Sequence, residues 1–286
     1  MRTISSRLNL VLFFFNALLV LGLVYLWYPW IVTDGGEVGA LAVLEERMKN
    51  EALRSAIEQQ AHTEEDQSSD FTLQSTSTHT EDVLVEEVPP PAQAEELPQT
   101  VNLPVPFTSQ APEGNWEQPW QDACEEAAIL MLDAYYKKYN LSPLFAKDEL
   151  QKMVDWQTER NLGYSIPLID LSRVAQWYMG NSFSFAILEQ PTIERIQESV
   201  ANGNPVLVVA YGKALDNPNF TGNGPEYHVL IIRGYTPEGF ITNDPGTRNG
   251  EGFFYTYENL MGSIHDWNGG DVAHGDPVVL VRTKNE

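Results

Sequence analysis

Cysteine is nearly absent: Cys124 is the only one in 286 residues. No intrachain disulfide can therefore form, and a zinc centre built from two to four thiolates is excluded. Basic residues are scarce as well, 17 Lys and Arg against 40 Asp and Glu, for a formal net charge of -23. So few cations cannot neutralise a run of phosphates, which excludes nucleic acid as a partner and argues against docking on anionic lipid headgroups. No internal repeat is visible. One thiol is left to be explained, and by itself it reads as a small buried hydrophobe.

What the chain does have is sharply segmented. Residues 8–32 (LNLVLFFFNALLVLGLVYLWYPWIV) are almost wholly apolar, long enough for a helix to cross about 30 Å of hydrocarbon. A cleavable signal peptide has a shorter apolar core and a small-x-small cleavage site, which is missing, so the segment reads as an uncleaved anchor. Arg2 and Arg7 precede it while Asp34, Glu37, Glu45 and Glu46 follow, placing residues 1–7 in the cytoplasm and the remainder outside. Residues 33–62 carry Leu41, Leu44, Met48, Ala52 and Ile57 at helical spacing, a juxtamembrane stalk helix capable of weak self-association. Residues 63–100, rich in Glu, Ser, Thr and Pro, read as a disordered acidic linker.

A folded domain is expected over residues 101–286. Helices are predicted near 123–139, 147–158, 168–180 and 191–202, followed by strands in PVLVVAY, YHVLIIRGY, GFITND, GFFYTY and PVVLVRT. Helices first and strands later indicate an α+β fold, and the turn clusters TPEG, DPGT and RNGEG imply hairpins and an antiparallel sheet.

In PWQDACEEAAILMLDAYY, residues Ala127, Ala128, Met131, Leu132 and Tyr135 share one helix face, and Cys124 continues it backwards by a turn. Asp122 and Glu125 have the spacing of a capping pair, which puts Cys124 in the first helical turn. There the helix dipole and free N–H groups favour a thiolate, whereas Asp122, Glu125 and Glu126 oppose it. A cationic partner is required.

Of five histidines, His62 and His79 fall in the stalk and linker, and His265 and His274 lie in a Gly- and Asp-rich stretch. With Asp266 and Asp271 these last two form a weak metal-site candidate, disfavoured because loop carboxylates usually face water. His228 begins the apolar run VLII, where an unpaired ring costs about 1–3 kcal/mol. The chain returns through GFITNDPG, which brings Asn243 or Asp244 beside it as the group that orients the ring. Parity of the hairpin loop decides: an odd loop selects Asp244, an even one Asn243.

Three blocks, VPFTSQAP (105–112), DACEEAAILM (122–131) and YHVLIIRGYTPEGFITNDPG (227–246), resemble the papain-like peptidases related to bacteriocin-processing enzymes, the family-thirty-nine-like cysteine peptidases. The resemblance implies a papain-like α+β fold with a nucleophile helix packed on an antiparallel sheet. It further implies Cys124 as nucleophile, His228 as base, Asp244 rather than Asn243 as orienter, and Gln110 as oxyanion donor. Gln118, closer to Cys124, is the alternative donor. No phosphate loop of the GxxxxGK[ST] form is present, so the chain is not by itself a self-trimming exporter.

The expectation is a cofactor-independent, membrane-anchored extracytoplasmic cysteine peptidase acting on peptide or protein substrates. The alternatives are a catalytically silent module that binds peptides or envelope components, and amidase or acyl-transfer chemistry on cell-wall peptides. Trp116, Trp120, Tyr211, Tyr227 and Trp267 are candidate groove aromatics.

Overall fold

The computed structural model describes residues 96–283. The expected cytoplasmic terminus, anchor and stalk helix, and the linker up to residue 95, lie outside these residues. Among the described residues no helix is long and apolar enough to cross a membrane.

The elements run β1 (Val101–Asn102), α1 (Cys124–Lys137), α2 (Pro143–Glu159), α3 (Leu168–Met179), β2 (Ser184–Glu189), α4 (Ile193–Ala201), β3 (Val206–Tyr211), β4 (Tyr227–Thr236), β5 (Gly239–Asn243), β6 (Glu251–Thr256), α5 (Tyr257–Ser263) and β7 (Val278–Thr283). The sheet has the order β2-β7-β3-β4-β5-β6, with β1 added against β4, and every pairing is antiparallel. The α+β class and the antiparallel sheet thus agree with the sequence reading.

The simple succession of helices and then strands needs correction. β2 lies between α3 and α4 and crosses over to pair with β7, along Ser184↔Thr283 to Glu189↔Val278. Only Leu188 of this strand is buried, because it forms one end of the sheet, and SFAILE consequently lacks a strong apolar alternation. Helix α2 starts four residues earlier than predicted. Ser142 accepts the Phe145 N–H at 3.3 Å and Pro143 opens the helix, a start signal that the sequence does contain. The short helix α5 was not predicted; Thr256 caps it through the Asn259 N–H at 3.2 Å.

Alternate residues of the central strands, Val206, Val208 and Ala210 of β3 and Leu230 and Ile232 of β4, join Ile196 and Val200 of α4 and Leu260 of α5 in one core. The intervening Leu207, Val209, Val229 and Ile231 are equally buried, so both faces of the sheet are covered, with α1 packed on β4. Continuous apolar runs such as VLVVA and VLII are the sequence expression of that double burial. Helix α1 is correspondingly buried all round from Cys124 to Ala134, not along one stripe.

Candidate active site

The start of α1, the start of β4, the segment 110–122 and the loop 220–225 converge on a cleft of about 280 Å³. Gln110, Trp116, Cys124, Phe220, Tyr227 and His228 are among its lining residues.

Cys124 is the first residue of α1, so its backbone N–H has no intrahelical acceptor. The expected cap at Asp122 is not formed. A 3-10 turn over Trp120–Asp122 runs directly into the helix, the capping position falls on Ala123, and the Asp122 carboxylate accepts the Gln118 amide instead. Glu125 and Glu126 each interact with their own backbone N–H, serving the free donors of the first turn from within it. Glu125 also accepts the Ile166 N–H at 3.0 Å, while the Ile166 carbonyl accepts the Tyr227 hydroxyl at 2.9 Å. This pinned peptide sets the adjoining Ser165 in the cleft wall.

Burial pushes the Cys124 thiol well above its ordinary value, and the carboxyls of Glu125, Glu126 and Asp122 add to the effect; only the Val229 backbone N–H opposes it. Burial raises the two glutamates as well, Glu125 strongly and Glu126 to about 7. The acids beside the thiol therefore hold protons well above the usual carboxylate range, which weakens the anionic field that the sequence alone implies.

His228, 1% exposed, points its Nε2 at Asp244 Oδ1, 2.7 Å away. Burial alone raises the Asp244 carboxyl, but the electrostatic pull of the adjoining His228 and hydrogen bonds from His228, Tyr255 and Gly246 outweigh it and hold it below the ordinary range. An ionised carboxylate only accepts, so Nε2 carries the proton and Nδ1 is the ring atom left for the thiol side.

The pairing with Asp244 has an instructive origin. Thr236 pairs with Gly239, so the hairpin loop is the two-residue Pro237-Glu238, an even loop that by parity selects Asn243. A bulge between Ile232 and Gly234 inserts Arg233 as one extra residue and shifts the register, so that Asp244 falls on the face of His228. Asn243 takes a different place. It donates to the Val105 carbonyl at 3.0 Å and accepts from Arg233 Nη1 at 3.2 Å, fastening the segment that carries Gln110.

Gln110 is buried in the cleft wall. Its Nε2 donates to the Gln121 carbonyl at 2.7 Å and the Trp120 carbonyl at 3.1 Å, so both amide hydrogens are engaged and Oε1 has no partner. Gln118 is not among the lining residues. Of the candidate aromatics, Trp116 and Tyr227 line the cleft, Trp267 packs edge-on against Tyr227 at 5.6 Å, and Trp120 is buried. Tyr211 ends β3 and is not among the lining residues.

Among the described residues, the other two histidines, His265 and His274, do not reach the cleft lining. His265 Nδ1 meets the Gly275 carbonyl at 2.9 Å, and exposed His274 pairs with Asp271 at 2.8 Å. Asp266 accepts the Leu168 N–H at 2.8 Å, supplying from a distance the cap that Pro167 cannot give α3. Among the described residues no group of three or more His, Cys, Asp or Glu has metal-binding geometry.

Three residues of the site escaped the sequence reading. Asn217 and Tyr255 both donate to Asp244 Oδ2, at 3.1 and 2.6 Å, and Phe220 lies edge-on to the His228 ring at 5.2 Å. A buried carboxylate needs more donors than one imidazole supplies, and that demand was the available signal. Gly246 is required at its place: a Cβ there would lie 2.7 Å from His228 Cε1 and 2.9 Å from Phe220 Cε1. Gly246→Ala should displace the ring and lower kcat/KM about 30-fold with little change in far-UV circular dichroism; activity within twofold of the parent would contradict this placement.

A helix-terminal thiol, a strand-borne imidazole and a carboxylate behind it thus meet at one cleft of an α+β fold. The family model described as "Peptidase_C39 like family" matches residues 102–269, and the chain belongs to that family of peptidases. Among solved structures, a Bacillus anthracis protein assigned to the C39-like peptidases matches with 18% identity and a TM-score of 0.43. That match covers 66% of this chain and 99% of the other. No curated protein matches.

Proposed function

We propose that the protein is a membrane-anchored extracytoplasmic cysteine peptidase. The observation that carries the reading is the shared cleft of Cys124 and His228, with the Asp244 carboxylate 2.7 Å behind the ring. Cys124 Sγ attacks a peptide carbonyl while His228 Nδ1 takes the thiol proton; that proton then passes to the leaving amine as the C–N bond breaks. Water, deprotonated by the same imidazole, attacks the thioester, releases the carboxylate product and restores the thiol.

Negative charge on the carbonyl oxygen is met first by the free Cys124 N–H. Gln110 becomes the second donor when its amide turns from the Trp120 and Gln121 carbonyls toward the cleft. The apolar segment 8–32 and the preceding Arg2 and Arg7 support attachment to the membrane with the domain outside.

The raised thiol favours a second reading, a peptide-binding module without turnover. A mechanism-based acyl probe that reacts with thiols separates the two. Stoichiometric labelling of the parent and none in Cys124→Ala supports the peptidase; an unlabelled parent that still binds peptide supports the module.

A further inference from the structure

We propose that Tyr255 and Asn217 are positioning residues that fix the Asp244 carboxylate, and through it the His228 ring, while tying the cleft wall to the same point. The proposal rests on the peptidase reading above, yet the contacts behind it are independent of turnover.

Asp244 is fully buried and each of its oxygens accepts twice. Oδ1 takes His228 Nε2 at 2.7 Å and the Gly246 N–H at 2.9 Å; Oδ2 takes the Tyr255 hydroxyl at 2.6 Å and Asn217 Nδ2 at 3.1 Å. The orientation of the Asn217 amide follows from chemistry. Its Oδ1 accepts the backbone N–H of Asn219 at 2.9 Å, and since that group can only donate, Nδ2 must face the carboxylate. Nδ2 also reaches the Tyr255 oxygen at 2.7 Å, so the phenol accepts from Asn217 and donates to Asp244, closing a triangle around Oδ2. A carboxylate held at Oδ1 alone could swing about its Cβ–Cγ bond. Held at both oxygens, it presents one lone pair to His228 in one direction.

Asn217 does a second thing. Its backbone carbonyl accepts the Phe220 N–H at 3.0 Å, and Phe220 is the ring set edge-on to His228. Asn249, on the loop after Asp244, donates to Asn219 Oδ1 at 3.1 Å. One short loop thus fixes the carboxylate through a side chain and the aromatic wall through the backbone, so neither can shift independently of the imidazole.

The test is carried out on the full chain with 13C-carboxyl-labelled aspartate. Tyr255→Phe and, separately, Asn217→Ala each remove a donor from the ionised form, so the Asp244 titration should move upward by about one pH unit. On a cleaved peptide, kcat should fall about tenfold, KM should stay within twofold, and the acid limb of the kcat/KM profile should move up with the carboxyl. Tyr257→Phe is the control: its hydroxyl bonds Gln197 and the Thr236 carbonyl, away from Asp244, and its loss should leave both titration and profile unchanged. An Asp244 titration unmoved in both Tyr255→Phe and Asn217→Ala, or moved equally by Tyr257→Phe, overturns the proposal. A shift in the two variants, with a parent that hydrolyses nothing, sustains the positioning network and removes the peptidase reading instead.

Discussion

Asp244→Asn is expected to lower kcat by on the order of 10³ while leaving the domain folded. All four groups around the carboxylate are donors: His228 Nε2, the Gly246 N–H, Asn217 Nδ2 and the Tyr255 hydroxyl. An asparagine must turn its NH2 toward one of the two pairs. If it faces His228 and Gly246, the imidazole loses its acceptor and the tautomer that leaves Nδ1 open. If it faces the other pair, Tyr255 can reverse its hydroxyl, but Asn217 cannot turn, because its oxygen is held by the Asn219 N–H. Either orientation opposes donor to donor in a buried site, at about 1–3 kcal/mol. The measurement is kcat and KM on a peptide drawn from a library, with thermal unfolding as the check on folding. A variant within tenfold of the parent would show that Asp244 does not orient the base. The substitution should also flatten the acid limb of stability. The folded Asp244 titrates below its unfolded value, so its contribution is present above that value and is lost as pH falls through the folded one.

Glu126→Gln should act in the opposite direction and at the other end of the pH range. Burial lifts Glu126 from 4.5 to about 7, against the pull of its own N–H and of the Gln157 amide and with a small push from Asp122. The folded protein thus keeps a proton that the unfolded chain has already released, and stability falls as pH rises from about 4.5 through about 7. Over that window the loss is about 3 kcal/mol. A glutamine keeps an oxygen for the Gln157 amide and removes the titration. Urea unfolding at pH 5 and pH 8 should show the parent weakening with pH, and the variant exceeding it by about 3 kcal/mol at pH 8. Some decline should remain in Glu126→Gln, because Glu125 is raised in the same sense. Parallel profiles for parent and variant would mean that the Glu126 carboxyl reaches water.

The runs of β3 and β4 were legible because they are buried on both faces and read as unbroken apolar strings, and α1 was legible from the helical spacing of Ala127, Ala128, Met131 and Leu132. β2 was not, since an edge strand with one buried residue has little pattern to read. The capping pair at Asp122 and Glu125 had the right spacing, but a 3-10 turn entering the helix moved the cap to Ala123, and the Asp122 carboxylate turned to the Gln118 amide. The opposition of Glu125 and Glu126 to a thiolate was legible in the sequence, whereas the burial that raises the two glutamates themselves was not. Titration depends on burial, and burial depends on helices α1 and α2 meeting, which no local window contains.

By itself the sequence determined the α+β class, the antiparallel hairpins and the choice of Cys124 and His228 as the residues worth pairing. Hydrophobic periodicity, turn chemistry and the scarcity of thiols and imidazoles are local or compositional properties, and they survive without coordinates. Residue pattern alone left Asn243 and Asp244 open as the partner of His228; the family resemblance implied Asp244, and the tertiary structure supplies the physical reason. The even hairpin loop points to Asn243, and the single extra residue of the Arg233 bulge reverses every face beyond it. The tertiary structure alone decided that Asn217 and Tyr255, 27 and 11 residues from Asp244, complete the carboxylate's shell. Hydrogen bonds across such separations are set by register and loop closure, quantities of the folded chain as a whole.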